Sequence, residues 1–367
     1  MIAYNFHAAG NGADGTASAG HGKLAQLQAA SGCPPYRAQQ TGSGEQHLVA
    51  HLVATLGHVF PRWLLVTYYI SLKTNPFVVI TGREGAGKAA FASGVAAALV
   101  GQDSGQFLTI GSDSWARRGS QSSYYRAIHE RFGASQFLEI LHEAGAPENA
   151  GKIYMVLLKG LTLEELSVYV NRLLQVDSHG ERRLALPGLP EAQRPIVPPN
   201  CLITATLHLP RAATPLDQEV LRHAGQIEFS PEVRFAQSLP PLPVPPVGLQ
   251  RVMLATAGGQ RHARARLVAI LGRAGLRALG PSPAILRPLL AAGAVLSRQL
   301  REDTLAYVAN SFDQDGIGLI DPTDARRNAQ LAYDAQIVQR LLWRVDWRRR
   351  AVHHTLAALL RASGSPR

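Results

Sequence analysis

The sequence predicts an α/β fold, a parallel sheet covered by helices, with an all-helical region after it. Three observations lead there. A β-branched run, Phe77-Val78-Val79-Ile80-Thr81, ends in a glycine-rich turn and passes into an Ala/Val/Leu helix from Lys88 to Val100; a short, wholly apolar run of this kind marks a strand buried on both faces. Strand and helix patterns then alternate along the chain, which argues for parallel strands joined by helical crossovers. From Arg261 to Leu360, Leu, Ala and Arg recur at helical spacing, the mark of amphipathic helices.

Taken in order, residues 1–43 are rich in Gly, Ala, Ser and Gln without a sustained period, so they read as a disordered arm that buries too little to offset its ordering entropy. In the short helical segment 44–75, Leu48, His51, Leu52, Thr55 and Leu56 share a helical face, Phe60-Pro61 breaks it, and a second apolar helix runs from Trp63 to about Leu72. The α/β core spans 76–235. After the first strand and helix come a strand at Gln106–Ile110, a helix at Ser135–Ala144, a strand at Ile153–Leu158, a helix at Leu163–Leu174 and a strand at Cys201–Leu207. Glu181–Asn200, with Pro187, Pro190, Pro195, Pro198 and Pro199, reads as an exposed excursion. A proline-dense stretch, Pro231–Pro246, leads through a linker at 236–250 to a helical lid domain at 251–367.

Composition bounds the function. With 367 residues, 46% hydrophobic and 17% charged, the chain can bury a sizeable core, and neither a collagen-like nor a disordered protein fits. Cys33 and Cys201 are the only cysteines, which gives neither a disulfide framework nor a CxxC metal site; reduced thiols in a cytoplasmic protein are expected. Lys and Arg outnumber Asp and Glu by 37 to 26, a net charge of +11, and this admits nucleic acid or another polyanion as partner. No stretch reaches the roughly 20 apolar residues of a membrane span, and the first residues lack the basic and apolar regions of a signal peptide.

The most specific local signal is Gly82-Arg83-Glu84-Gly85-Ala86-Gly87-Lys88-Ala89, between a predicted strand and a predicted helix. That placement is what a P-loop requires: glycines let backbone N–H groups turn toward phosphate, the helix N-terminus adds positive potential, and Lys88 can reach the β/γ oxygens. One position departs from the motif. A P-loop ends in Ser or Thr, whose hydroxyl ligates Mg²⁺, and Ala89 has no oxygen.

The stretch Tyr68-Tyr69-Ile70-Ser71-Leu72-Lys73-Thr74-Asn75-Pro76-Phe77-Val78-Val79-Ile80-Thr81-Gly82 resembles the start of the AAA+ module of McrB-type proteins, the motor family of modification-dependent restriction systems. Asp113-Ser114-Trp115, Tyr124-Tyr125 and Gln136–Leu141 are similar to later segments of that module, and the resemblance runs from about residue 45 to 360. It implies a P-loop AAA+ parallel sheet with flanking helices and a C-terminal all-helical lid, and ATP or GTP as the nucleotide. It also implies where catalysis should sit. The metal-holding aspartate is matched by Lys159, the water-activating glutamate by Gly160, the sensor asparagine by His208, and the trans-acting arginine by His223. Arg222 stands one residue early, and a one-residue shift turns a helical side chain by about 100°.

With Ala89, five functional positions have changed inside an intact hydrophobic frame. The expectation is a pseudo-ATPase, a subunit or adaptor of a restriction-type or other nucleic-acid-associated assembly. A nucleotide-dependent motor driving a nuclease partner and a basic DNA-binding module are the alternatives. Nucleotide contacts are expected at Gly82, Glu84, Gly85, Ala86, Gly87, Lys88 and Ala89, with weak binding of ATP or GTP and no Mg²⁺. Expected partners are further copies of the chain, an intact AAA+ paralogue, a McrC-like nuclease or nonspecific nucleic acid, and no membrane. Ser311-Phe312-Asp313-Gln314-Asp315-Gly316 has the look of a calcium loop, but Pro322 occupies the closing glutamate's place, so a loop between lid helices is expected. Arg261, Arg264, Arg266, Arg273 and Arg277 read as a solvated helix face or a phosphate-contacting one, and Trp343 and Trp347 as lid packing ahead of a stacking platform for bases. His353-His354 lacks metal-ligand spacing.

Overall fold

The computed structural model describes residues 44–75, 77–102, 104–111, 136–163, 166, 181–184, 190–208, 224–229, 245, 248–257, 260–281, 286–287, 289–290 and 297–341. The element order is α1 (Gly44–Leu56), α2 (Arg62–Thr74), β1 (Phe77–Gly82), α3 (Lys88–Val100), β2 (Phe107–Gly111), α4 (Gln136–Gly145), β3 (Tyr154–Leu161), β4 (Cys201–His208), β5 (Gly225–Glu228), α5 (Leu249–Thr256), α6 (Gln260–Ala278), α7 (Arg298–Asn310) and α8 (Ala325–Gln336). The arm at 1–43, Asp113-Ser114-Trp115, Tyr124-Tyr125, most of the helix expected at Leu163–Leu174, the proline-dense stretch and the tryptophans at 343 and 347 lie outside the described residues.

The five strands form one sheet in the order β2-β3-β4-β1-β5, and every pairing is parallel. The predicted strands fall within a residue or so of their observed starts; β5, short and carrying one polar residue in its middle, went unread as a strand. Alternation sorts the side chains onto two faces. Val78, Ile80, Met155, Leu157, Leu202 and Ile227 face α1, α2, α3 and α5, whereas Phe77, Val79, Tyr154, Val156, Leu158, Ile203 and Ala205 face α4. A sheet covered on both sides needs wholly apolar strands, which is why β1 reads as an unbroken β-branched run.

The helices ahead of β1 are bound tightly to this core. Pro61 opens α2 from an extended conformation, and on α2 the Tyr68 hydroxyl meets the Thr204 hydroxyl of β4 at 2.7 Å. Phe60, Phe91 and Phe229 stack edge-on or tilted, 4.9 to 6.3 Å between centroids, and thereby fasten α3 to the break between α1 and α2 and to the end of β5. The Lys73 amine of α2 pairs with the Glu45 carboxylate of α1 and donates to the Asn310 carbonyl of α7 at 3.1 Å, both charged side chains being fully buried. Tyr69 donates to the same Glu45 oxygen at 2.9 Å.

The excursion at Glu181–Asn200 is less exposed than its prolines suggest. Leu184 donates its N–H to Pro195 and Val197 to Arg182, both at 2.8 Å. This short antiparallel pairing sets Leu184 and Val197 into the α4-side core while Ile196 points outward.

In the helical region, Ser297 and Asp324 cap α7 and α8, each accepting backbone N–H groups of its own first turn. Ser311–Gly316 lies between lid helices as expected, and it is a self-satisfied turn: Asp313 accepts from the N–H groups of Asp315 and Ile317 and from Gln46 on α1. Among the described residues no cluster of His, Cys, Asp or Glu is arranged to hold a metal ion. Arg266 donates to the carbonyls of Phe312 and Asp313 at 2.9 Å, so it fastens that turn, whereas Arg264, Arg273 and Arg277 are exposed. A buried ion pair at 2.6 Å joins Arg340, in a π turn after α8, to Asp303 on α7.

Candidate functional site

The C-terminal ends of β1, β3 and β4 and the start of α3 define one edge of the sheet. β1 delivers the chain to Gly82, the loop 83–87 turns, and α3 begins at Lys88. Gly85 and Gly87 have φ of 71° and 89°, the left-handed region that costs an L side chain about 1–2 kcal/mol. With that turn, the N–H groups of Gly85, Gly87 and Lys88 find no hydrogen-bond partner among the described residues. They lie at the positive end of α3, an arrangement suited to an anion. Ala86 and Ala89 instead pack against the core.

Lys88 does not reach out. Its side chain is buried, and the amine donates to the carbonyls of Gly82 at 2.9 Å and Arg83 at 2.5 Å. Burial pushes its pKa down from the ordinary lysine value, opposed by the nearby Glu84 carboxylate. The loop is thus closed upon its own lysine, and Arg83 and Glu84 are exposed.

β3 carries the two positions at which acidic groups are implied. Lys159 pairs in register with Gly111 of β2, and both Lys159 and Gly160 are exposed. Gly160 adopts φ 73° at an irregularity between Leu158 and Leu161 where the β3–β4 register shifts. Its N–H donates to the Thr206 hydroxyl at 2.9 Å. Thr206 escaped the sequence reading; its signal was the alternation of β4, which puts Thr204 and Thr206 on the α3 side with Leu202. His208 ends β4 opposite Gly82, its side chain being outside the described set, as are Arg222 and His223.

A magnesium ion does not fit these residues. It takes hard oxygen donors in octahedral array, whereas the three positions that the resemblance matches to such groups hold a methyl group (Ala89), an ammonium (Lys159) and a glycine fixed in a bulge (Gly160). A phosphate chain does fit the N–H groups of the loop. Cys201, at the opposite end of β4, is buried and its thiol is pushed up to about 12, which leaves it inert.

No protein-family model and no curated protein matches the chain. Among solved structures, the crystal structure of Cdc6p from Pyrobaculum aerophilum is similar over 90% of this chain and 89% of that one, at 13% identity and a TM-score of 0.26. No helix among the described residues is long and apolar enough to cross a membrane. A five-stranded parallel sheet in the order β2-β3-β4-β1-β5, with a glycine-rich phosphate loop leading from β1 into α3 and helices beyond β5, is a P-loop AAA+ fold.

Proposed function

We propose that this chain is a degenerate AAA+ subunit of the McrB type, a pseudo-ATPase that holds ATP or GTP weakly at residues 82–89 and serves as a subunit or adaptor in an assembly whose chemistry lies in its partners. The observation that carries this reading is Gly160. At the place of the water-activating acid stands a glycine whose positive φ and N–H are used by the sheet itself, beside a lysine in place of the metal-holding acid. Phosphoryl transfer in P-loop enzymes depends on metal, water-positioning group and arginine finger together, the finger alone being worth roughly 10³ to 10⁵ in rate. A site without the first two retains recognition and loses turnover.

Partners follow from the same reading. AAA+ subunits meet edge to edge, and such contacts rest on apolar packing that survives the loss of catalytic side chains. Association with a second copy or an intact paralogue, together with a McrC-like nuclease, fits the McrB resemblance, and the exposed arginines of α6 fit a nonspecific contact with nucleic acid. The test is release of phosphate from ATP and GTP by the purified chain, alone and mixed with co-purifying proteins, beside Lys88→Ala. Background rates throughout are expected. Turnover that Lys88→Ala abolishes would overturn the proposal.

A further inference from the structure

The mismatch between this site and magnesium has a second side. Strand alternation places Lys159 on the same face of β3 as Met155 and Leu157, the face along which α3 runs. The N-terminus of α3 carries the phosphate loop to that same edge of the sheet. β3 is two strands from β1, about 10 Å at the usual strand spacing, a gap that a lysine's flexible four-carbon stem and a triphosphate chain can bridge between them. The Lys159 side chain is exposed, and its amine makes no ion pair or hydrogen bond among the described residues. Glu84, the carboxylate of the loop, acts on Lys88, raising its pKa against the effect of burial.

We infer that Lys159 is the resident counter-cation of this site, taking the place of the divalent ion, so that the loop binds the metal-free triphosphate chain and magnesium opposes that binding. The inference rests on the nucleotide reading above and adds its metal dependence. Magnesium removes about half of the negative charge of ATP, and it brings a cation toward the Lys159 ammonium. Both effects weaken the complex, since like charges at close range repel and the lysine's attraction falls with the ligand's charge.

The experiment is a titration of fluorescent ATP and GTP analogues against the full chain at constant ionic strength, once in EDTA and once in excess MgCl₂. The wild type should bind about tenfold more tightly in EDTA. Lys159→Met should weaken binding in EDTA and erase the difference, and Lys159→Asp should reverse it, with Mg²⁺ now strengthening binding. Melting curves check that each exposed-site variant stays folded. Tighter binding of the magnesium complex by the wild type, or a Lys159→Met chain with unaltered metal response, would overturn this inference alone. Absence of binding by the wild type in both buffers would overturn the nucleotide reading and this inference with it.

Discussion

Replacing Lys73 by Met removes the cation at the centre of a buried cluster that joins α1, α2 and α7. The Lys73 and Glu45 side chains are both fully buried, the amine also donates to Asn310 at 3.1 Å, and Glu45 keeps Tyr69 at 2.9 Å as its other partner. One Glu45 oxygen already lacks a partner among the described residues. Breaking a buried pair by deleting one member leaves the other charge uncompensated and costs about 3–5 kcal/mol. At roughly 2–4 °C per kcal/mol for a domain of this size, the midpoint should fall by about 10 °C. Glu45→Leu with Lys73→Met should recover most of the loss, because an apolar pair of similar volume has no desolvation cost.

A pH arm tests the same cluster. Burial lowers the Lys73 pKa from its ordinary 10.5 to about 8, with Glu45 opposing. Between those values the unfolded chain holds a proton that the folded chain has released, so unfolding takes up protons and stability rises with pH across that window, by at most about 3 kcal/mol; the neutral amine still donates to Glu45 and Asn310, bonds that methionine cannot make. Lys73→Met should lack this rise. Urea unfolding followed by circular dichroism at pH 7, 8, 9 and 10 measures both effects. A single variant within about 1 kcal/mol of wild type, or a double variant no more stable than Lys73→Met, would refute the reasoning.

Gly160→Glu, which installs the acid that the AAA+ resemblance implies, should destabilise by about 1–2 kcal/mol because φ at this position is 73°, and phosphate release should stay at background; restored turnover would contradict the role assigned to the bulge. Asp324→Ala removes the cap that accepts from Arg326 and Arg327 and should cost about 1 kcal/mol in urea unfolding. In a Cys33→Ser chain, Cys201, with its thiol pushed up to about 12 by burial, should react with a disulfide reagent at pH 8 only as fast as the chain opens. Prompt labelling in native buffer would contradict its burial.

The parts of the fold that the sequence made legible are those in which one local signal suffices. β1 and β4 are apolar runs bounded by turn residues, and the α3 helix follows a loop whose glycines could have few other purposes. Lys159 and Gly160 were singled out by the McrB-type resemblance and not by periodicity or spacing, and the structure adds that both are exposed near the end of β3. What the residues alone could not reveal depends on pairing. That Gly160 is fixed by a register shift needs β4 alongside β3, and that Thr206 receives its N–H needs the same. Leu184 and Val197 looked like parts of a solvated loop because prolines dominate the window, and only their antiparallel pairing hides them. Arg266 read like its neighbours on α6 until the turn at Phe312 and Asp313 was brought against it. Long-range partners decide such cases, and no periodicity encodes them.

The closed loop bears on how tightly any nucleotide can be held. To meet a β- or γ-phosphate, the Lys88 amine must leave two carbonyl oxygens, at 2.9 and 2.5 Å. Hydrogen bonds to a charged group contribute about 1.5–3 kcal/mol each, so the lysine exchanges two such bonds for those it makes to phosphate and brings little net gain. The free N–H groups of the loop and Lys159 must then supply the affinity, without the metal that would ordinarily bridge the phosphate oxygens. Weak binding is what the proposed function expects of such a loop, and it has a readable signature. Lys88→Ala both removes a phosphate contact and frees the two carbonyls, so its effect on affinity should be smaller than that of Lys159→Met, the reverse of the order expected in a working P-loop enzyme. Titration of the two variants side by side in EDTA gives that order directly, and a larger loss in Lys88→Ala would show that the amine leaves its carbonyls at little cost.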